Sequence, residues 1–69
     1  MISNNLKEVR KIRGITISEL ARRTKLSRMT IANIENKKVL PSLESAISIS
    51  REMDEKIDNI FFEINVNHE

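Results

Sequence analysis

A chain of 69 residues, 39% hydrophobic and 32% charged, with two phenylalanines as its only aromatics and no cysteine, has the composition of one small soluble helical domain. That composition leaves no disulfide framework and no thiolate zinc site, and with no apolar run long enough for a bilayer and no secretory signal visible, a cytoplasmic location is expected. The net charge of +2 is unevenly placed, with ten Lys and Arg against three acids in residues 1–38 but two against seven in residues 39–69, which predicts one basic side suited to a polyanion.

In chain order, Asn4 and Asn5 can each cap a first helix that runs to about Arg13 with Leu6 and Val9 inward. Gly14, the sole glycine, is placed to close it in the left-handed conformation, and Ile15 should then tuck into the core. Thr16 caps a second helix, roughly Ile17 to Thr24, with Leu20 and Ala21 inward and Arg22 and Arg23 outward. The small Ala21 suits a close approach by the next helix. Lys25 stands in a turn that often needs positive φ, at a cost of about 1–2 kcal/mol relative to Gly if it adopts that geometry. Leu26 packs inward, and Ser27 caps a third helix from Arg28 to about Asn36.

At about 100° per residue, Ile31 and Ile34 of that helix face inward, whereas Met29 and Asn33 point away. Residues 16–36 therefore read as a helix-turn-helix, a motif that sets its second helix into the major groove of DNA. Arg28 offers a bidentate fork to guanine, Asn33 can pair with adenine, and an outward Met29 can touch thymine methyl groups. Asn36, tolerant of left-handed geometry, is expected to end the helix, followed by Lys37 and Lys38, whose charges suit both the helix terminus and a phosphate.

After the turn at Leu40 and Pro41, Ser42 caps a fourth helix to about Met53, whose predicted inward face is Leu43, Ala46, Ile47 and Ser50. Asp54 and Glu55 break the pattern before a short helix, about Lys56 to Phe61. Beyond it Phe62, Ile64 and Val66 alternate with Glu63, Asn65 and Asn67, a period of two that reads as a strand. Its expected partner is Met1 to Ser3 in antiparallel pairing, with a frayed terminus as the alternative. Catalytic chemistry is not expected. The single histidine, His68, is penultimate, and the acids Glu52, Asp54, Glu55 and Asp58 have no phosphate loop, metal-ligand spacing or nucleophile beside them. Neither cofactor, metal nor small-molecule ligand is expected.

The run Leu6, Arg10, Gly14, Thr16, Glu19, Leu20, Ala21, Ser27, Thr30, Ile31, Ile34, Glu35, Asn36, Pro41, Ser42, Leu43 resembles, in order and spacing, the phage-repressor type of helix-turn-helix. This is the lambda-repressor-like fold that also contains the Cro proteins, and the resemblance covers about residues 4–61. With its strand-forming ends, the chain most resembles compact dimeric bacterial repressors of the cytolysin-repressor kind. The resemblance implies an all-α, five-helix domain over residues 1–69, with the motif at 16–36 and a small antiparallel pairing of the N- and C-terminal strands. It also implies a transcription regulator, a repressor that reads a two-fold operator in double-stranded DNA as a homodimer, of bacterial or phage type. Arg28, Met29, Ala32 and Asn33 would lie at base edges, and Thr16, Ile17, Thr30, Asn36, Lys37 and Lys38 near phosphates. Arg10 and Glu35 match a family ion pair that ties the first helix to the end of the recognition helix. Ile17 and Met29 depart from the pattern where glutamine is common, and Lys25, Lys37 and Asp54 where glycine is frequent.

Self-association is also expected from size alone, since a chain this short has little core. The apolar residues Ile57, Ile60, Phe61, Phe62 and Ile64, within a dimerisation segment at about 54–67, would form the contact between copies. The same residues would equally serve a heteromeric interface, so the alternative reading is a protein-interaction subunit such as an antitoxin or a heterodimer partner of a related regulator.

Overall fold

The computed structural model describes residues 1–65, in which five helices are strung between two short strands. In order these are β1 (Ile2–Asn4), α1 (Leu6–Ile12), α2 (Ile17–Thr24), α3 (Arg28–Glu35), α4 (Leu43–Glu52), α5 (Ile57–Ile60) and β2 (Phe61–Glu63). Val66 and Asn67 of the expected strand, and His68, lie outside the described residues.

Helix starts follow the capping chemistry. Thr16, Ser27 and Ser42 hold extended backbone, and each Oγ accepts from the N–H three residues on, at 3.0, 3.0 and 3.1 Å. At α1 the position before the helix is Asn5, but the capping oxygen comes from Asn4, whose Oδ1 accepts from the Leu6 N–H at 3.0 Å. The first four helices end on a left-handed residue. At α1, Gly14 at φ 69 lets its own N–H reach Lys11 O and the Ile15 N–H reach Arg10 O, both at 3.0 Å. The same crossed pair closes α3 through Lys37 (φ 62) and α4 through Asp54 (φ 53), while α2 ends on Lys25 at φ 62. Asn36, expected to take the left-handed position, sits at φ −86 and ψ 6. The crossed pair needs its left-handed residue one place further on, which puts Lys37 there.

The core consists of Leu6, Leu20, Ile31, Ile34, Ile49, Met53 and Ile60, all fully buried, with Val9, Ile15, Ile17, Leu26 and Phe61 packed round it. On α4 the buried face is Ala46, Ile49, Ser50 and, just beyond the helix, Met53, so half of the expected face is corrected: Leu43 and Ile47 are exposed. Ala46 and Ser50 are common to both phases. Apolar residues flank them on either side, and packing against α2 selects the Ile49–Met53 flank.

The chain ends meet as expected. β1 and β2 pair antiparallel, Ile2 opposite Glu63, Ser3 opposite Phe62 and Asn4 opposite Phe61. The Ile64 N–H to Met1 O bond at 2.7 Å and the Asn5 N–H to Ile60 O bond at 3.0 Å prolong the pairing at either end. Phe61, expected in the last helix, instead turns to φ −115, ψ 128 and opens β2. Ile60 is completely buried inside the protomer and offers no surface to a second chain, which corrects its place in the expected dimer contact.

Candidate nucleic-acid interface

The turn between α2 and α3 is made by Lys25 in left-handed geometry and by Leu26 seated against the core. Below it Ile31, Ile34 and Glu35 are buried, so α3 shows the opposite side: Arg28 and Met29 exposed, Ala32 and Asn33 half-buried beside them. The four residues expected at base edges therefore share one helix face. Met29 is 73% exposed, a large apolar side chain held in solvent by the phase of its helix. One Arg28 Nη lies 3.5 Å from Ser18 Oγ in the first turn of α2, a contact across the motif that spacing alone did not indicate.

The residues expected near phosphates divide by what their side chains already do. Thr16 is exposed with its Oγ occupied by the Glu19 N–H, and Thr30 shares a 2.8 Å hydroxyl contact with Ser27. Ile17 is half-buried against the core, so what it can offer an anion is its backbone N–H in the first turn of α2. Asn36, Lys37 and Lys38 are all exposed just past α3.

Behind this surface a buried ion pair locks α3 in place. The Arg10 guanidinium donates Nε to Glu35 Oε2 at 2.7 Å and a second nitrogen to Oε1 at 3.3 Å, while its remaining nitrogen reaches Ile15 O at 3.0 Å. The two side chains are 10% and 3% exposed. Glu35 is thereby neutralised where a free carboxylate would repel a phosphate. A second tie comes from Asn4, whose Nδ2 donates to Ile34 O at 2.9 Å.

Ion pairing also sorts the basic half of the chain. Glu19 holds Arg22 and Arg23, and hydrogen bonds from Arg22 first and Arg23 second pull its carboxyl down from 4.5 to about 2. Arg13 is paired at 3.0 Å with Glu55, whose carboxyl is held below its ordinary value by the Asn59 amide and then by Arg13 itself. Among the described residues no ion pair involves Lys7 or Lys11 on α1, nor Lys25, Arg28, Lys37 or Lys38, and the last four stand before, at the start of and just after α3. The charge count could not reveal this, because it does not distinguish an arginine engaged by a carboxylate from one facing solvent.

Comparison with known proteins agrees with the fold and the helix-turn-helix motif. A family model described as helix-turn-helix matches residues 6–60. An uncharacterized HTH-type transcriptional regulator of Methanocaldococcus jannaschii is 38% identical over 60 residues, which span 87% of this chain and 91% of that protein. A crystal structure of a protein from Bacteroides fragilis matches with a TM-score of 0.82 at 23% identity, over 88% of this chain and 98% of that one, and so shares the fold.

Proposed function

The chain belongs to the Cro and lambda-repressor-like helix-turn-helix family of DNA-binding transcription regulators, and from that premise we propose a repressor that binds a two-fold operator as a homodimer. The observation that carries this reading is the exposed face of α3, ringed by cations that no carboxylate of the described chain engages. Unpaired lysines and arginines release counterions from a duplex when they meet phosphates, and this supplies affinity without sequence information. Arg28, Met29, Ala32 and Asn33 supply the information: two hydrogen-bonding side chains for guanine and adenine edges, and two apolar ones for thymine methyls. In a two-fold dimer the recognition helices enter successive major grooves about 34 Å apart, and repression follows from occluding a promoter.

Selection from a random duplex pool at near-physiological salt tests this directly. The expected product is a two-fold motif. Against it, Arg28→Ala should relax preference at one base position, by about 1–3 kcal/mol of discrimination, whereas Lys38→Ala should weaken all duplexes alike and flatten the salt dependence. Equal, sequence-blind losses from both substitutions would remove Arg28 as a reader, and a pool that enriches nothing would remove specific recognition altogether.

A further inference from the structure

The terminal sheet and the recognition helix meet through one side chain. Asn4 is the last residue of β1, opposite Phe61, and its amide faces two ways. Oδ1 accepts from the Leu6 N–H at 3.0 Å and Nδ2 donates to the Ile34 carbonyl, 30 residues away, at 2.9 Å. Flipping the amide would set oxygen against oxygen and N–H against N–H, so the two partners fix its orientation. The Ile34 carbonyl belongs to the last turn of α3 and also accepts from the Lys37 N–H at 3.0 Å, so the amide completes its second lone pair. Among the described residues this is the only side-chain hydrogen bond that joins either strand to α3.

We propose that Asn4 is a positioning residue for DNA reading, which fixes the end of α3 against the terminal sheet so that Asn33 and Lys38 meet the duplex in register. The proposal rests on the DNA-binding reading above. The Arg10–Glu35 pair does not duplicate the task. It grips a side chain from α1, whereas Asn4 grips the backbone from the sheet, at the carbonyl that follows Asn33 in the chain. Asn33 O in turn accepts from the Lys38 N–H at 2.8 Å, so the backbone of a base-facing residue and that of a phosphate-facing one are linked within the turn that Asn4 anchors. Loss of the donor leaves all the contacting side chains present but frees the turn that aims them.

Asn4→Ser keeps a hydroxyl oxygen for the Leu6 N–H and deletes the donor to Ile34. Asn4→Asp does the same with a carboxylate, so that a folding failure of one variant does not decide the matter. Two measurements are made on the full chain at a temperature where each variant is folded by circular dichroism. Amide exchange at Lys37 and Lys38 should quicken about fivefold or more relative to Leu20, whose N–H is bonded to the carbonyl of the cap residue Thr16. Discrimination between the selected duplex and a scrambled one should fall about tenfold, because the scrambled duplex loses only the Lys38 phosphate contact whereas the selected one also loses the reading by Asn33. Unchanged discrimination, or equal losses on both duplexes with unaltered exchange at 37 and 38, would overturn the proposal and leave Asn4 an ordinary cap. Failure of the parent chain to prefer any duplex is a separate outcome, which removes the DNA reading and this role with it.

Discussion

At the scale of single residues, the Arg10–Glu35 pair is the contact whose loss is most costly, because neither side chain has water to fall back on. A buried charge stripped of its partner costs about 3–5 kcal/mol, while replacing both partners with apolar groups of similar volume is often neutral. Arg10→Met is therefore expected to lower the free energy of unfolding by about 3 kcal/mol or more, and the double change Arg10→Met with Glu35→Leu to recover most of that loss in urea unfolding. Equal losses from the single and the double change would show that the pair acts by packing alone. A smaller reserve lies in the left-handed residues. Lys25, Lys37 and Asp54 hold φ of 62, 62 and 53 without being glycine. Asp54 closes α4, outside the helix-turn-helix, and among the described residues its side chain makes no hydrogen bond or ion pair. Asp54→Gly should thus stabilise the fold by about 0.5–1 kcal/mol and raise Tm by a few degrees, with DNA binding unaltered.

At the scale of elements, acid pH tests the start of α2. Glu19 titrates at about 2 in the folded chain against an ordinary 4.5. A depressed carboxyl contributes stability that is complete above the unfolded value and is lost as pH falls toward the folded one, so its contribution fades between about pH 4.5 and 2. Glu55 acts in the same direction. Glu19→Gln should accordingly lower stability at pH 7 and flatten part of the acid limb in that window; urea midpoints that fall in parallel with those of the parent from pH 5 to 2.5 would count against the Arg22–Glu19–Arg23 cluster. Elements were legible in the sequence wherever their chemistry is local. Thr16, Ser27, Ser42 and Gly14 mark helix boundaries because a cap or a left-handed turn involves only neighbours in the chain. The inward face of α4 was not, since Leu43 and Ile47 on one flank of Ala46 and Ser50 compete with Ile49 and Met53 on the other, and packing against α2 decides between them. The Asn4 amide was legible as a cap but not as an anchor, because its second partner is 30 residues distant. Outward placement of Met29 followed from Ile31 and Ile34 alone, while Asn33, placed outward by the same phase, is half-buried.

At the scale of the whole molecule, the question is what covers the outer surface of the terminal sheet. Two strands make a ribbon that is marginal alone, and among the described residues no third strand pairs with β1 or β2. Ile2, Ile57, Phe62 and Ile64 on these ends are each 37–45% exposed in the single chain, while Phe61 is held half-buried against the core. With Ile60 sealed inside, the proposed contact between copies contracts to Ile57, Phe62 and Ile64 with the edge of Phe61. Phe62→Glu places a charge there without touching the fully buried core. Such a variant should keep its helical circular dichroism, sediment as a monomer at concentrations where the parent is a dimer, and bind a two-fold operator no better than a single half-site. A parent that sediments as a monomer would turn the same surface toward a different protein, the role of an antitoxin or a heterodimeric regulator. A Phe62→Glu variant that remains dimeric would move the contact to another face, of which the exposed Leu43 and Ile47 on α4 are the next to substitute.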